Sequence, residues 1–193
     1  VLNIAIAELF MVGGYVGLTL LIRGAPLPVA VLAAMAAAGI IGALIERVAY
    51  RPFADAPPII PLLSTLGCSI VLQNTVVNYW GSDPLQMPGE HLGNAVDFAG
   101  LRISASQVTV IGFAVLLVAA TAWLVQRTRP GRALRAVAEN RDVARLMGVP
   151  ARRIIGTTFI LSGMLAGAAG VLIGLHYSAV HPYIGVDVGL KAI

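Results

Sequence analysis

RTRPGRALRAVAENRDVARLMGVPARR, residues 127–153, is the stretch that decides how this chain is arranged. It holds Arg127, Arg129, Arg132, Arg135, Arg141, Arg145, Arg152 and Arg153, most of the 13 basic residues of the chain. The flanking stretches, 104–125 before it and 154–175 after it, carry no charge. An apolar run of about 20 residues is the length that crosses a bilayer core. The basic stretch therefore reads as a loop between two spanning helices. Composition agrees: 58% of residues are hydrophobic, 11% are charged and the mean hydropathy is +0.87. A soluble domain carries roughly 25% charge, so a soluble fold would leave too much apolar surface facing water.

Working outward, 1–22 is a first apolar stretch, interrupted by Asn3 and Glu8. A tight turn at Arg23-Gly24-Ala25-Pro26 leads to a second span, 27–45, and a polar link, 46–58, to a third, 59–79. A loop at 81–103, rich in glycine, proline and acids, precedes 104–125 and the basic loop 126–153; after 154–175, residues 176–193 are amphipathic and too short to cross. The expectation is an all-α, polytopic helical membrane protein with about five transmembrane helices, one transmembrane domain over 1–193. The start at Val1 inside an apolar run and the polar end at Ile193 read as cuts through a longer protein. Basic residues collect in cytoplasmic loops. That rule puts 126–153 inside and 81–103, with Arg102 against Asp83, Glu90 and Asp97, outside. Alternation then places Arg47 and Arg51 inside and Arg23 outside.

Several chemistries are excluded. A phosphate-binding loop needs lysine followed by a hydroxyl residue, and the one lysine, Lys191, precedes Ala192. ATP, if used, belongs to another subunit. Cys68 alone supports neither a disulfide framework nor a cysteine zinc cluster. His176 and His181, with Asp187 the nearby acid, read as interfacial residues, so no metal site is expected. No Ser/His/Asp arrangement or nucleotide fingerprint stands out, which argues against an enzyme.

Within the basic loop, 132–138 favours helix, with Leu134 and Val137 on one side. The apolar stripe fails across Glu139-Asn140-Arg141. Asn140 is placed to cap a second short helix over 141–147, Asp142 lies near its positive end, and Gly148 with Pro150 stops it. Such a segment either rests on anionic lipid or docks a protein through Leu134, Val137, Val143, Leu146 and Met147.

Inside the spans, Glu8 would cost at least about 2.5 kcal/mol at a helix centre. It either makes a structural hydrogen bond near the membrane edge, lines a pathway, or lies in a register that makes it interfacial. Ser69, Gln73 and Asn74 concentrate polarity in half of the third span, with the first two of those readings. Gly163-x-x-x-Gly167 and Gly170-x-x-x-Gly174, like Gly13-x-x-x-Gly17, favour close backbone approach between helices.

Residues 142–148, Asp-Val-Ala-Arg-Leu-Met-Gly, resemble the Glu-Ala-Ala-x-x-x-Gly loop of ABC importer permeases, with Asp142 for Glu and Val143 for the first Ala. GRALRAVAENRDVARLMGV, 131–149, resembles the cytoplasmic loop of branched-chain amino acid permeases of the LivH and LivM type. The likeness extends through Pro61-Leu-Leu-Ser-Thr-Leu-Gly67, Gln73-Asn74 and His181-Pro-Tyr-Ile-Gly185, over essentially the whole chain. It implies the permease subunit of an ABC importer that moves branched-chain or other hydrophobic amino acids across the bacterial cytoplasmic (inner) membrane. It also implies ABC ATPase partners carrying ATP and Mg, a second permease subunit, an external substrate-binding protein and surrounding lipid. No cofactor would be bound by this chain, and no nucleic acid. Arg135, Glu139, Asp142, Ala144 and Gly148 would inherit the ATPase-coupling role. Asn3, Glu8, Ser69, Gln73 and Asn74 would be the substrate pathway, and Gly163, Gly167, Gly170 and Gly174 the packing positions. Where such permeases usually read Asn-Phe-Ala-His-Gly-Glu, this chain has Asn3 and Glu8 but Ile6 and Ala7 for His and Gly. A permease for urea, amides or sugars is the alternative. An ion-coupled secondary transporter, with Glu8 as the coupling group, is a further one.

Overall fold

A computed structural model of the chain describes residues 5–57, 59–88, 96–98, 101–103 and 105–185. Its helices are α1 (Ile6–Ile22), α2 (Leu27–Ile45), α3 (Ile59–Trp80), α4 (Ala105–Arg127), α5 (Arg129–Glu139), α6 (Arg141–Leu146) and α7 (Ala151–Tyr177). Four short strands complete it: β1 (Leu85–Gln86), β2 (Val96–Phe98), β3 (Leu101–Ile103) and β4 (Ala179–Val180).

Small residues decide which helices touch. A methyl group added at Gly167 of α7 would lie 2.5 Å from the Ala34 carbonyl oxygen and 2.7 Å from the Ala38 Cβ of α2. One added at Gly163 would lie 2.5 Å from the Ala38 carbonyl oxygen, and one at Gly42 would lie 2.6 Å from that of Phe159. On the other flank of α7, Gly170 meets the Phe10 carbonyl of α1, and Gly13 meets the backbone of Gly167. Helices α1, α2 and α7 thus pack backbone against backbone, where larger side chains would hold them apart. Leu9, Met11, Tyr15, Leu18, Ala34, Ala38, Ala168 and Val171 fill the remaining core.

Helices α3 and α4 lie outside this trio. In the apolar window of α4 no residue is buried (0%), against 50% for α7. Four helical segments, Leu27–Phe53, Ile59–Trp80, Val108–Arg127 and Ala151–Tyr177, are long and apolar enough to cross a membrane. Helix α1 is apolar but only 17 residues long, about 25 Å at 1.5 Å per residue. The chain is an integral membrane protein of the polytopic helical kind.

The structure differs from the sequence expectation at several boundaries. The link at 46–58 is not an open loop: α2 runs on through a π-helical turn, Glu46–Tyr50, and a 3-10 turn, Arg51–Phe53. Burial is the reason, because Ala49 and Tyr50 pack into the core, with the Tyr50 ring 5.2 Å from that of Phe159. Helix α1 begins at Ile6, which puts Glu8 in its first turn; the expected start at 1–4 lies outside the described residues. Helix α7 begins at Ala151, directly after Pro150, so Arg152 and Arg153 belong to its first turn. Two small antiparallel pairs, β1 with β4 and β2 with β3, add to the helical fold. In the first, Leu85 pairs with Val180 and Gln86 with Ala179, which ties the segment after α3 to the end of α7.

Candidate functional site

The basic loop folds as two helices set across the ends of the bundle. The Thr128 hydroxyl accepts from the Gly131 N–H at 3.2 Å and starts α5. Helix α5 ends where Asn140 becomes extended, and the same residue caps α6: its Oδ1 accepts from the N–H groups of Asp142 (3.0 Å) and Val143 (3.1 Å). Helix α6 then closes on a Schellman turn. The Gly148 N–H donates to the Arg145 carbonyl and the Val149 N–H to the Ala144 carbonyl, both at 3.0 Å, with Gly148 at φ +78°. A side chain there would meet no neighbour within 4 Å, so the glycine answers a backbone need, not a shortage of room.

The apolar residues of the loop divide between two directions. Leu134 and Val137 of α5 turn toward Ile154, Ile155 and Thr158 of α7 and line a cavity of about 300 Å³ with them. On α6, Ala144 is buried, whereas Val143, Leu146 and Met147 project outward, with 87% of Leu146 and 79% of Met147 exposed. The single apolar patch expected from the sequence is therefore two surfaces. The α5 surface holds the loop to the bundle; the α6 surface is unpartnered within the described residues.

Of the residues assigned to this loop, Arg135 donates from Nη1 to the Val125 carbonyl at 2.8 Å, steadying α5 on the end of α4. Glu139 is exposed, and Asp142 is 89% exposed at its side chain, 3.8 Å from Arg145. The structure adds Asp55, which the sequence reading missed. Its carboxylate receives Arg145 Nη2 at 3.4 Å and Arg152 Nη2 at 3.3 Å, with Arg141 Nη2 at 3.8 Å; Arg141 Nη1 also donates to the Ala54 carbonyl at 2.9 Å. The Arg145 guanidinium holds the Asp55 carboxyl below the usual carboxylate range; partial desolvation opposes this, and Arg152 and Arg141 reinforce it. An open cleft of about 600 Å³ beside the cluster is lined by Arg51, Asp55, Arg145, Arg152 and Arg153 with the chain around Gly148. The available signal was that Asp55 is the sole acid of the Arg47–Pro58 stretch in a chain with an arginine-rich loop.

The pathway residues come together only in part. Glu8 is buried and accepts a hydrogen bond from the Ser69 hydroxyl at 2.8 Å. Thr65, one turn before Ser69 and also buried, and the Tyr15 hydroxyl, buried without a hydrogen-bond partner in the described residues, lie at the same α1–α3 side of the bundle. Gln73 is half-buried, and Asn74 sits on the exposed face with its amide turned back to the Ile70 carbonyl at 2.8 Å. Asn3 lies outside the described residues. Among the described residues there is no group of three or more His, Cys, Asp or Glu side chains placed to hold a metal.

A family model described as "Branched-chain amino acid transport system / permease component" matches residues 1–193. The permease protein BraD of a high-affinity branched-chain amino acid transport system in Pseudomonas aeruginosa is 36% identical over 99% of this chain. The corresponding LivH protein of Escherichia coli K12 is 34% identical, also over 99%. This chain spans 66% of the length of each of those two proteins. The autoinducer 2 import system permease protein LsrC of Enterobacter sp. strain 638 is 31% identical over 89% of this chain and 47% of its own length. No solved structure matches.

Proposed function

The chain belongs to the branched-chain amino acid transport permease family, and on that premise we propose that it is part of the membrane subunit of an ABC importer, with α6 as the element that meets the ATPase. One observation carries this: Leu146 and Met147 stand almost fully exposed on a helix that is capped at one end and stopped at the other. Burying a large aliphatic side chain contributes about 1.5–3 kcal/mol, so the two residues offer a strong anchor to a matching groove. The convergence of the 51–57 segment with α6 and the start of α7 supports the sidedness inferred from charge, with both loops at the cytoplasmic face of the bacterial inner membrane.

ATP and Mg would be bound by the partner ATPase, since this chain has no phosphate-binding loop. A second permease subunit would complete the pathway, and an external binding protein would deliver the cargo. Branched-chain or similar hydrophobic amino acids are the proposed cargo, by analogy with the BraD and LivH relatives. The likeness to LsrC, an autoinducer 2 import permease, together with Ile6 and Ala7 in place of the usual His-Gly, supports a more polar small molecule as the second reading.

The test uses the full permease co-expressed with its ATPase and binding protein. Leu146→Asp with Met147→Asp should strip the ATPase from the purified complex, and Gly148→Ala should lower stimulation of hydrolysis by the loaded binding protein. An unchanged ATPase yield in the double variant would refute docking through α6. Uptake of labelled leucine against autoinducer 2 by the wild-type complex separates the two cargo readings.

A further inference from the structure

Two kinds of attachment coexist in this fold. Helices α1, α2 and α7 meet through backbone contacts and so behave as one body. Helix α3 is joined to that body by side chains. Ser69 donates to Glu8, the Trp80 indole N–H donates to Thr19 Oγ1 at 3.3 Å, and the Tyr15 and Trp80 rings lie 5.3 Å apart. Side-chain contacts of this kind exchange at far smaller cost than interlocked backbones.

The lead into α3 is folded, not slack. After the 3-10 turn, the Ala56 N–H donates to the Phe53 carbonyl at 3.1 Å and the Ile60 N–H to the Pro57 carbonyl at 2.9 Å. Pro52 and Pro57 restrict the backbone further. Residues 53–57 form a bent crank ahead of α3, and Asp55 lies in its bend. One Asp55 oxygen faces Arg141 and Arg145 of α6, while the other faces Arg152 of α7. A single carboxylate therefore bridges the proposed docking helix and the rigid trio. Arg141 directly follows the Asn140 cap, and its guanidinium, largely covered and bonded to the Ala54 carbonyl, fixes where α6 lies relative to the crank.

We propose that Asp55 is a positioning residue, a swivel that links α6 to the crank ahead of α3, so that α3 follows α6 when α6 is moved. A carboxylate shared among three guanidinium groups trades one partner for another without losing charge compensation, which permits rotation while preventing separation. Movement of α3 would then part the Ser69–Glu8 contact. This rests on the docking reading of α6 given above.

The test is substrate delivered per ATP hydrolysed, measured with the full permease, ATPase and binding protein reconstituted in lipid vesicles. Asp55→Asn should leave a complex that still co-purifies, with delivery per ATP reduced about fivefold or more, the low end of a coupling free energy between two sites. Asp55→Glu, which keeps the charge, should restore at least about half of the loss by re-forming charge-assisted bonds. A delivery ratio in Asp55→Asn within about twofold of wild type, too small for such a coupling, overturns the swivel while the docking reading stands. Loss of the ATPase from both Asp55 variants overturns it in favour of an assembly role. If the unmodified permease retains no ATPase, the docking reading fails and the swivel fails with it.

Discussion

Replacing Gly167 with alanine tests the backbone packing between α7 and α2. The new methyl would lie 2.5 Å from the Ala34 carbonyl oxygen and 2.7 Å from the Ala38 Cβ. Carbon and a carbonyl oxygen settle at roughly 3.3 Å or more. Helix α7 must therefore retreat from α2 by somewhat under about 1 Å, and a gap of that size forfeits about a quarter to a half of each dispersion contact. Overpacking costs typically about 1–3 kcal/mol. Here neither obstruction is a side chain that can rotate away, so about 3 kcal/mol is the appropriate figure. Alanine returns up to about 1 kcal/mol through helix propensity, leaving a net loss of about 2 kcal/mol. Gly67 of α3 is the internal control, because a methyl there meets nothing within 4 Å and Gly67→Ala should be neutral or slightly stabilising. The two variants should thus differ by about 2–3 kcal/mol, which at about 2–4 °C per kcal/mol is a gap of roughly 4–12 °C. Thermal unfolding of both proteins in the same detergent measures it. Melting temperatures within about 1 °C of each other would show that α7 and α2 are not closed on backbone contact.

Two further predictions concern polar contacts. Ser69→Ala removes the hydroxyl that serves buried Glu8 and should cost about 1–3 kcal/mol, read by denaturant titration in mixed micelles. The double variant with Glu8→Gln should cost less than the sum of the two single changes, and strict additivity would mean that the pair does not interact. For Asp55, whose carboxyl is held below its ordinary value near 3.9, the linkage sign is that of a depressed acid. Its contribution is complete above the ordinary value and is lost as pH falls through the lowered one. The difference in melting temperature between wild type and Asp55→Asn should therefore stay constant from about pH 5 to pH 8 and close on acidification below about pH 4. It should also shrink in molar salt, because these groups are half-exposed and easily screened. A difference that varied across the neutral range would assign the effect to another group.

What the sequence reveals follows the range of the interactions. The break at Asn140 and the stop at Gly148 are legible because caps are made by groups within a few residues of one another. The glycine spacing announces close packing, yet it does not say which helix Gly167 will meet, since alanine-rich α2 and glycine-bearing α1 are equally suitable partners. Asp55 is hidden because its arginines, Arg141, Arg145 and Arg152, are far away in sequence, the last two by 90 and 97 residues. Composition alone does not say which face of α3 each polar residue takes. Asn74 is five residues after Ser69, about 140° round a helix of 3.6 residues per turn, and so faces away from Glu8. The continuation of α2 past residue 45 was obscured by Glu46, Arg47 and Arg51, although Ala49 and Tyr50 between them carry the burial.

The order of the rigid trio along the chain has a consequence for biogenesis. Helices α1 and α2 leave the ribosome before α3 to α6, and α7, which fills the groove between them, begins at Ala151. At about 5–20 residues per second, that groove waits on the order of 5–20 s after α2 is made. During that time its glycine and alanine surfaces face lipid or an insertion factor, and α3 and α4 pass by without sealing it. Slowed translation between α2 and α7 should therefore lengthen the period in which the nascent permease is exposed to membrane proteases. Its yield in cells should depend on elongation rate through 46–150 as much as on the stability of the finished bundle.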